Sequence, residues 1–246
     1  SIMSTPTLKQ MLEAGVHFGH QTRRWNPKMR RYILGERNGV HVLNLRRTLE
    51  GLVAAQAALR RVKMSGRSIL FVGTKPIARD VMKNAAEQIG ENYVITRWPG
   101  GMLTNYSTVR QSLRRLEEIE QMEKDGTFKE LVKKEVLMLN RERDKLNDVF
   151  SGIRTMKGQP GLMIVGDVKH DHLAVSEARR LRIPVIALCD TNVDPELIDY
   201  PIPSNDDAVK AIELLMGALI SAVSDLPRDG EAGIDKDAAA EKESAQ

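Results

Sequence analysis

The side chains best suited to binding chemistry are concentrated in residues 17–32, HFGHQTRRWNPKMRRY, which we call the basic segment. It contains no acidic residue, three of the chain's ten aromatic residues, and five bases: Arg23, Arg24, Lys28, Arg30 and Arg31. Cations neutralise phosphates and rings stack on bases or sugars, so this combination favours a nucleic acid partner. The alternative is that Phe18, Trp25 and Tyr32 point into a core while the bases stay in solvent.

Other polar and basic side chains extend this predicted RNA-binding set. Gln21, Thr22 and Asn26 add hydrogen-bonding groups inside the basic segment. Folded RNA is favoured over DNA because irregular basic loops suit RNA shape and neither a helix-turn-helix nor a zinc finger is apparent. The remaining candidates for RNA contact are His17, Arg37, Asn38, Lys75, Arg97, Trp98, Thr104, Asn105, Arg110 and Arg114.

Two loops that follow predicted strands each have two interpretations. Residues 72–75, VGTK, precede a helix, so their amides and Lys75 could hold a phosphate, or the glycine could simply make a tight turn. Residues 98–101, WPGG, offer a stacking ring beside Arg97, or the ring of Trp98 folds onto the core. Both alternatives stay open at this point.

Carboxylates after predicted strands raise the alternative of a nucleotide-binding or metal-dependent α/β enzyme, because ligands of such folds lie at the carboxyl ends of the strands. Three such carboxylates are Asp167, Asp190 and Asp194. They could do acid-base work or hold a metal, although capping is their commoner role. His17 and His20 could join Asp190 or Asp207 in a mixed metal site, but sequence distance gives no geometry. No dinucleotide, P-loop, nucleophile-elbow or zinc-protease motif occurs, so we expect no catalytic residue and no cofactor, with a structural divalent ion left open.

Charge is distributed unevenly along the 246 residues. The net charge is +4, but residues 1–67 hold thirteen bases and three acids, whereas residues 225–246 hold three bases and seven acids. A partner responds to the local field, so the amino end should attract a polyanion and the acidic tail should avoid one. Because the tail has almost no large apolar side chains, we expect it to be disordered.

The rest of the composition is typical of a folded protein from a reducing compartment. Hydrophobic residues make up 41% and charged residues 28%, which excludes global disorder. Cys189 is the only cysteine, so no intramolecular disulfide or cysteine-based zinc cluster can form, and its apolar neighbours predict an inert core thiol. We found neither a membrane-spanning run nor a secretory leader, and therefore expect a cytoplasmic protein with no membrane partner.

The elements that must position these residues alternate between short apolar strands and amphipathic helices, which predicts an α/β fold with a parallel sheet covered by helices on both faces. A short helix over residues 6–15 comes first, then a loop, then a hairpin turning at Asn38-Gly39. Later strands are predicted at 68–74, 93–98, 161–167, 184–190 and 200–203, and later helices at 44–66, 76–89, 172–181 and 206–223.

Residues 104–150 interrupt that alternation. Their apolar spacing predicts two antiparallel helices of about twenty residues joined at Asp125-Gly126, which together form a coiled-coil hairpin inserted into the α/β core. The predicted organisation is a basic amino-terminal unit (1–45), an α/β core (46–103 and 156–224), the hairpin (104–155) and an acidic tail (225–246).

Several long motifs are similar to those of one known family. They are MLEAGVHFGH at 11–20, WNPKM at 25–29, RWPGGMLTN at 97–105, residues 160–184, DTN at 190–192 and PSNDDA at 203–208. In this order they resemble the bacterial small-subunit ribosomal protein S2 family over roughly residues 5 to 225. The resemblance implies a flavodoxin-like or Rossmann-like domain with the helical hairpin inserted after its second core strand.

The resemblance also implies a role and partners. It implies a non-enzymatic constituent of the small subunit of cytoplasmic ribosomes, on the solvent side between head and body, with no small-molecule substrate. The implied partners are small-subunit rRNA and neighbouring small-subunit proteins, including the largest one, which family members help to dock.

Overall fold

Two sheets, one antiparallel and one parallel, organise the protein in a computed structural model that describes residues 4–228. The strands are β1 (Phe18–Gln21), β2 (Ile33–Arg37), β3 (Val40–Leu43), β4 (Ile69–Val72), β5 (Asn92–Val94), β6 (Leu162–Val165), β7 (Val185–Cys189) and β8 (Tyr200–Pro203). The small antiparallel sheet has the order β1-β3-β2, and the larger sheet has the order β5-β4-β6-β7-β8 with every pair parallel.

The helices begin and end at recognisable local signals. They are α1 (Leu8–Glu13), α2 (Leu45–Met64), α3 (Pro76–Gln88), α4 (Tyr106–Lys124), α5 (Thr127–Glu130), α6 (Lys133–Phe150), α7 (His172–Arg180) and α8 (Val209–Ser221). Thr7 forms a capping box with Gln10 at the start of α1, and the Asn44 side chain accepts a hydrogen bond from the Arg46 amide to cap α2. Pro76 occupies the first turn of α3, where its missing N–H costs nothing.

The parallel sheet is buried on both faces, as its apolar strands predict. Ile69 and Phe71 of β4 contribute to a core beneath α2, α3 and α8, whereas Leu70 and Val72 contribute to a second core beneath α7 and the start of α4. Numbered along the core alone, the strands have the order 2-1-3-4-5, the doubly wound order of flavodoxin-like proteins. The prediction of an α/β fold with this kind of sheet is confirmed.

The edge strand β8 is held closely by α2. Gly51 lets the helix approach, because a Cβ at this position would lie 2.4 Å from the carbonyl oxygen of Pro201. Pro201 and Pro203 lack N–H donors, so they suit an edge strand. Cys189, at the end of β7, is fully buried, and burial raises the pKa of its thiol, so it is the inert core cysteine predicted.

Three local predictions differ from the structure, and the first is the strand expected at 93–98, which ends at Val94. Residues 18–21 were expected to be a loop but form β1, because their pairing with β3 is a long-range contact that polar FGHQ does not signal. The helix expected directly after Gly126 begins only at Lys133, since Leu131 and Val132 are extended and separate the short α5 from α6.

The long helices α4 and α6 contact each other through charged side chains. Arg115 donates two hydrogen bonds to Glu142, at 2.8 and 3.1 Å, and Arg143 donates to Glu123 at 2.6 Å. Exposed ion pairs of this kind contribute about 0–1 kcal/mol each, so they favour this pairing only slightly. No helix within residues 4–228 has both the length and the apolar character needed to cross a bilayer.

Candidate nucleic-acid interface and the carboxyl edge of the sheet

The basic segment lies on the surface, fixed to the protein by a few contacts. After β1 it makes two short 3₁₀ turns, Thr22–Arg24 and Pro27–Tyr32, and the Asn26 side chain caps the second by accepting a hydrogen bond from the Lys28 amide. The Asn26 amide donates to the Thr191 carbonyl at 2.7 Å. Met29 also anchors the segment, because its side chain is completely buried in the second core.

The rings of the basic segment are mostly outside the core. Phe18 is 49% exposed and Trp25 is 37% exposed, while Tyr32 is half-buried beneath the Arg31 guanidinium, 4.8 Å from its ring centre. The Trp25 ring lies 5.4 Å from the ring of His41 on the neighbouring strand. Two of the three rings therefore offer surface for stacking, and the alternative of three core rings does not describe this segment.

Four of the five bases project into solvent without an acidic partner. Arg23, Arg24, Arg30 and Arg31 are exposed, and within residues 4–228 none of them forms an ion pair with a carboxylate. Lys28 differs, because its ammonium contacts Asp194 at 3.3 Å and Glu196 at 2.7 Å. The four arginines form an uncompensated cationic surface, whereas Lys28 also connects the segment to the loop after β7.

The other predicted RNA contacts separate into exposed and internally bonded groups. Gln21, Arg37, Asn38, Arg97, Thr104, Asn105, Arg110 and Arg114 are exposed, and His17 and Thr22 are partly so. Trp98 is only 8% exposed, and its indole N–H donates to Glu177, which favours the interpretation that the ring folds onto the core. Lys75 contacts Asp167 at 3.0 Å and also Asp207, so its charge is neutralised within the protein.

A single buried carboxylate organises the WPGG loop. One Glu177 oxygen accepts hydrogen bonds from the Trp98 indole at 2.7 Å and the Gly101 amide at 3.1 Å. The other accepts from the amides of Leu103 and Thr104 and from the Thr104 hydroxyl. Burial raises the pKa of Glu177, but these hydrogen bonds outweigh that effect and hold the pKa below its usual value.

The carboxyl edge of the parallel sheet brings together the residues considered as metal candidates. His20 on β1, Asp190 after β7 and Asp207 after β8 meet there, joined by Asp206. The structure does not include His17 in this group. The three distances from His20 Nε2 to the nearest carboxylate oxygens of Asp190, Asp206 and Asp207 are 3.5, 3.4 and 3.3 Å.

The electrostatics of this edge reflect buried negative charge. Burial and the neighbouring Asp206 raise the pKa of Asp190 to about 7, and burial likewise raises that of Asp206. A hydrogen bond to Asp206 raises the pKa of His20. Burial lowers the pKa of Lys75, but its hydrogen bonds to Asp207 and Asp167 outweigh this and raise it. The edge therefore favours cations and disfavours anions.

The same edge argues against a nucleotide site. In the 2-1-3-4-5 order a nucleotide would lie beside the loop after β4, where strand order reverses. There the Thr74 amide and hydroxyl both donate to Asp171, and Lys75 is held by Asp167 and Asp207. Protein carboxylates thus occupy the donors that a phosphate would need. Capping accounts for Asp194, whose side chain accepts from the Glu196 amide.

Two residues of this region were missed or given no role from sequence. Asp206 was not among the predicted metal candidates, although it follows a strand just as Asp190 does. Glu177 had a visible signal, because it lies on the same helix face as the buried Ala174 and Ala178. A carboxylate on the apolar face of a helix requires several donors, and such a position predicts a bonding network.

Fold and surface together define a class. This is a doubly wound α/β protein in which carboxylates of the protein occupy the donors at the ligand edge, and in which a segment near the amino end carries four exposed arginines without acidic partners among residues 4–228. The sequence model of the family described as Ribosomal protein S2 matches residues 11–225. A small ribosomal subunit protein uS2 of Treponema pallidum is 49% identical over 221 residues, covering 90% of this chain and 76% of that protein. The uS2 protein of Mycolicibacterium vanbaalenii is 49% identical over 238 residues, covering 96% of this chain and 87% of that protein.

The chain belongs to the ribosomal protein S2 family. It is accordingly a structural constituent of the small ribosomal subunit in the cytoplasm and not an enzyme. The expected family membership, its role in translation and the non-enzymatic interpretation are confirmed, and the enzyme alternative is set aside.

Proposed function

We propose that this protein binds small-subunit rRNA through the basic segment. The observation that carries the proposal is the set of four exposed arginines, Arg23, Arg24, Arg30 and Arg31, without acidic partners among the described residues and beside exposed rings. Guanidinium groups bind phosphate oxygens in a bidentate manner and also stack on bases. Arg37 and Asn38, which are exposed where β2 turns into β3, extend the same surface.

The internally bonded candidates have supporting roles in this proposal. Asn26 and Lys28 fix the shape of the basic segment, and Lys75 pairs with Asp167 and Asp207 of the carboxyl edge. Trp98 with Thr104 shapes the loop that exposes Arg97. The remaining candidates, His17, Gln21, Thr22, Asn105, Arg110 and Arg114, are proposed as peripheral contacts because each is at least partly exposed.

We also propose the domain organisation expected from the sequence. The small sheet belongs to an amino-terminal unit (1–45), and the parallel sheet belongs to an α/β core (46–103 and 156–224). Helices α4, α5 and α6 form a coiled-coil hairpin (104–155), which is inserted between the two parts of the core. The ion pairs between α4 and α6 support the hairpin. Most of the acidic tail (225–246), which was expected to be disordered, lies outside the described residues.

The hairpin is proposed to contact neighbouring small-subunit proteins, and the protein as a whole to help dock the largest of them. Three exposed apolar side chains support a protein contact: Val132 is 63% exposed, Leu137 51% and Met138 61%. Val132 directly precedes α6, and Leu137 and Met138 lie on it. Exposed apolar surface of this kind is typical of protein interfaces.

The function is tested by cosedimentation of the full chain with small-subunit rRNA at graded salt. Binding that neutralises phosphates releases counterions, so the logarithm of the affinity should fall linearly with the logarithm of salt concentration. With about four to six phosphates contacted, the slope should be roughly −3 to −5. Affinity independent of salt would contradict the proposal.

Replacing Trp25 by Ala should weaken rRNA binding by roughly 5- to 150-fold, because stacking of one base on an aromatic side chain contributes about 1–3 kcal/mol. The slope of affinity against salt should stay unchanged, since no charge is lost. Filter binding at several salt concentrations measures both quantities. Phe71→Leu, a change in the buried core, serves as the control for indirect effects on the fold.

A further inference from the structure

Four potential metal ligands converge at the carboxyl edge of the parallel sheet from three separate chain segments. His20 comes from β1, Asp190 from the loop after β7, and Asp206 with Asp207 from the loop after β8. One ligand atom from each of the four lies within 4.8 Å of all the others. The cluster therefore links the amino-terminal unit to the core.

Hydrogen bonding alone does not account for the position of the imidazole. His20 Nε2 lies at nearly equal distances, 3.3 to 3.5 Å, from oxygens of three carboxylates. One N–H group makes one good hydrogen bond, with a typical length of about 2.9 Å, and cannot aim at three acceptors. Ligands in tetrahedral coordination around a zinc ion, each bonded at about 2.0–2.1 Å, are separated by about 3.4 Å. The three separations from His20 Nε2 match those of ligands around an ion, and the carboxylate oxygens lie within 4.8 Å of one another.

The charges of the side chains in this cluster also favour a bound cation. The side chains of Asp190 and Asp206 are only 1% and 2% exposed, so their carboxylates are removed from solvent. The ammonium of Lys75 contacts Asp167 and Asp207. A buried carboxylate needs a compensating charge. Here four carboxylates face one ammonium and one imidazole, so acidic groups outnumber basic groups in the cluster. A divalent cation would balance this charge.

The ligands are also held in place by other groups, as metal ligands in proteins usually are. Asp190 accepts hydrogen bonds from the Thr191 amide at 2.7 Å and the Asp206 amide at 3.1 Å. The His20 amide donates to the Thr191 hydroxyl at 3.0 Å. Asp207 is half exposed, which gives an ion a route from solvent.

We propose that His20, Asp190, Asp206 and Asp207 bind one divalent cation of the zinc class, which fastens β1 to the carboxyl edge of the sheet. A nitrogen ligand with carboxylates suits Zn²⁺ or Mn²⁺ better than Mg²⁺, which prefers oxygen ligands. The site is structural, and its occupancy does not depend on rRNA binding. The metal-binding experiment can therefore fail or succeed whether or not the protein binds rRNA.

The test uses the full chain, stripped with a chelator and dialysed against zinc chloride. Elemental analysis should find one zinc per chain, and a hundredfold excess of zinc over Kd should raise Tm by about 5–10 °C. His20→Asn and Asp206→Asn should each lower zinc affinity by about 100-fold or more, by analogy with the 10–100-fold effects of outer-shell changes. His172→Asn, an exposed histidine outside the cluster, should bind zinc like the unaltered chain.

A second measurement keeps the proposal testable if a variant does not fold. Cobalt(II) added to the unaltered, metal-free chain should give the intense visible absorption of a four-coordinate site, which zinc displaces. The proposal is overturned if neither zinc nor manganese raises Tm and no such absorption develops. It is also overturned if folded His20→Asn, checked by circular dichroism, binds as much zinc as the unaltered chain.

Discussion

Replacing Arg23, Arg24, Arg30 and Arg31 together by glutamine is expected to lower affinity for small-subunit rRNA on the order of a thousandfold at about 0.1 M salt. These side chains are exposed and have no acidic partner among the described residues, so each is available to neutralise a phosphate. Each lost phosphate contact should also reduce the slope of log affinity against log salt by about 0.7–0.9. Filter binding or cosedimentation over a salt series measures both effects.

The matched control removes four exposed bases at the opposite edge of the sheet: Arg67, Lys157, Arg180 and Arg182. Net charge then changes by the same amount, so any loss specific to the first variant reflects the position of the charges. Because the four arginines of the basic segment make few contacts inside the protein, the free variant should unfold at nearly the original temperature. Equal losses in both variants would mean that the basic segment has no special role.

Replacing Glu177 by Gln is expected to lower the free energy of unfolding by about 2–4 kcal/mol. The glutamine oxygen can accept from one set of donors, but its NH₂ group must face the other set, either Trp98 and Gly101 or Leu103 and Thr104. The glutamine NH₂ group and these donors would then face each other in a buried site without an acceptor between them. Tm should fall by roughly 4–12 °C in a circular dichroism melt.

Glu117→Gln, an exposed change on α4, is the control and should alter stability by less than about 0.5 kcal/mol. If Glu177→Gln were equally mild, the Glu177 network would not hold the WPGG loop. Tryptophan fluorescence of the variant gives a local readout, because Trp98 loses its indole hydrogen bond to a charged oxygen.

The same carboxylate makes stability depend on pH. Hydrogen bonds hold the pKa of Glu177 below its usual value in the folded protein, so its stabilisation is complete above the ordinary glutamate pKa of about 4.3. It is lost as the pH falls through the folded-state pKa. Consequently, the difference in stability between wild type and Glu177→Gln should narrow below about pH 4 in urea titrations.

Local signals predicted most of the fold. Strands of the parallel sheet are short apolar runs bounded by turns, and the helices begin at caps such as Thr7, Asn44 and Pro76. The β-hairpin of β2 and β3 was predicted because the dipeptide Asn38-Gly39 tolerates positive φ, and both residues adopt positive φ in the structure. Strand β1 could not be predicted, because its partner and Thr191 are distant in sequence.

The functional site could be predicted from the sequence less completely than the fold could. The positive charge and rings of the basic segment are local properties and are visible in sixteen residues. Whether a base is free or paired depends on residues far along the chain, as the contacts of Lys28 with Glu196 and of Lys75 with Asp207 illustrate. The meeting of His20 with three aspartates likewise required the topology of the sheet.

The basic segment is synthesised early but can adopt its final position only late. Its anchors are Thr191, which accepts from the amides of His20 and Asn26, and Asp194 with Glu196, which hold Lys28. These partners emerge from the ribosome more than 160 residues after the segment they position. The cations of the basic segment are therefore made long before these partners, and the segment can take its final shape only after Glu196 has been added to the chain.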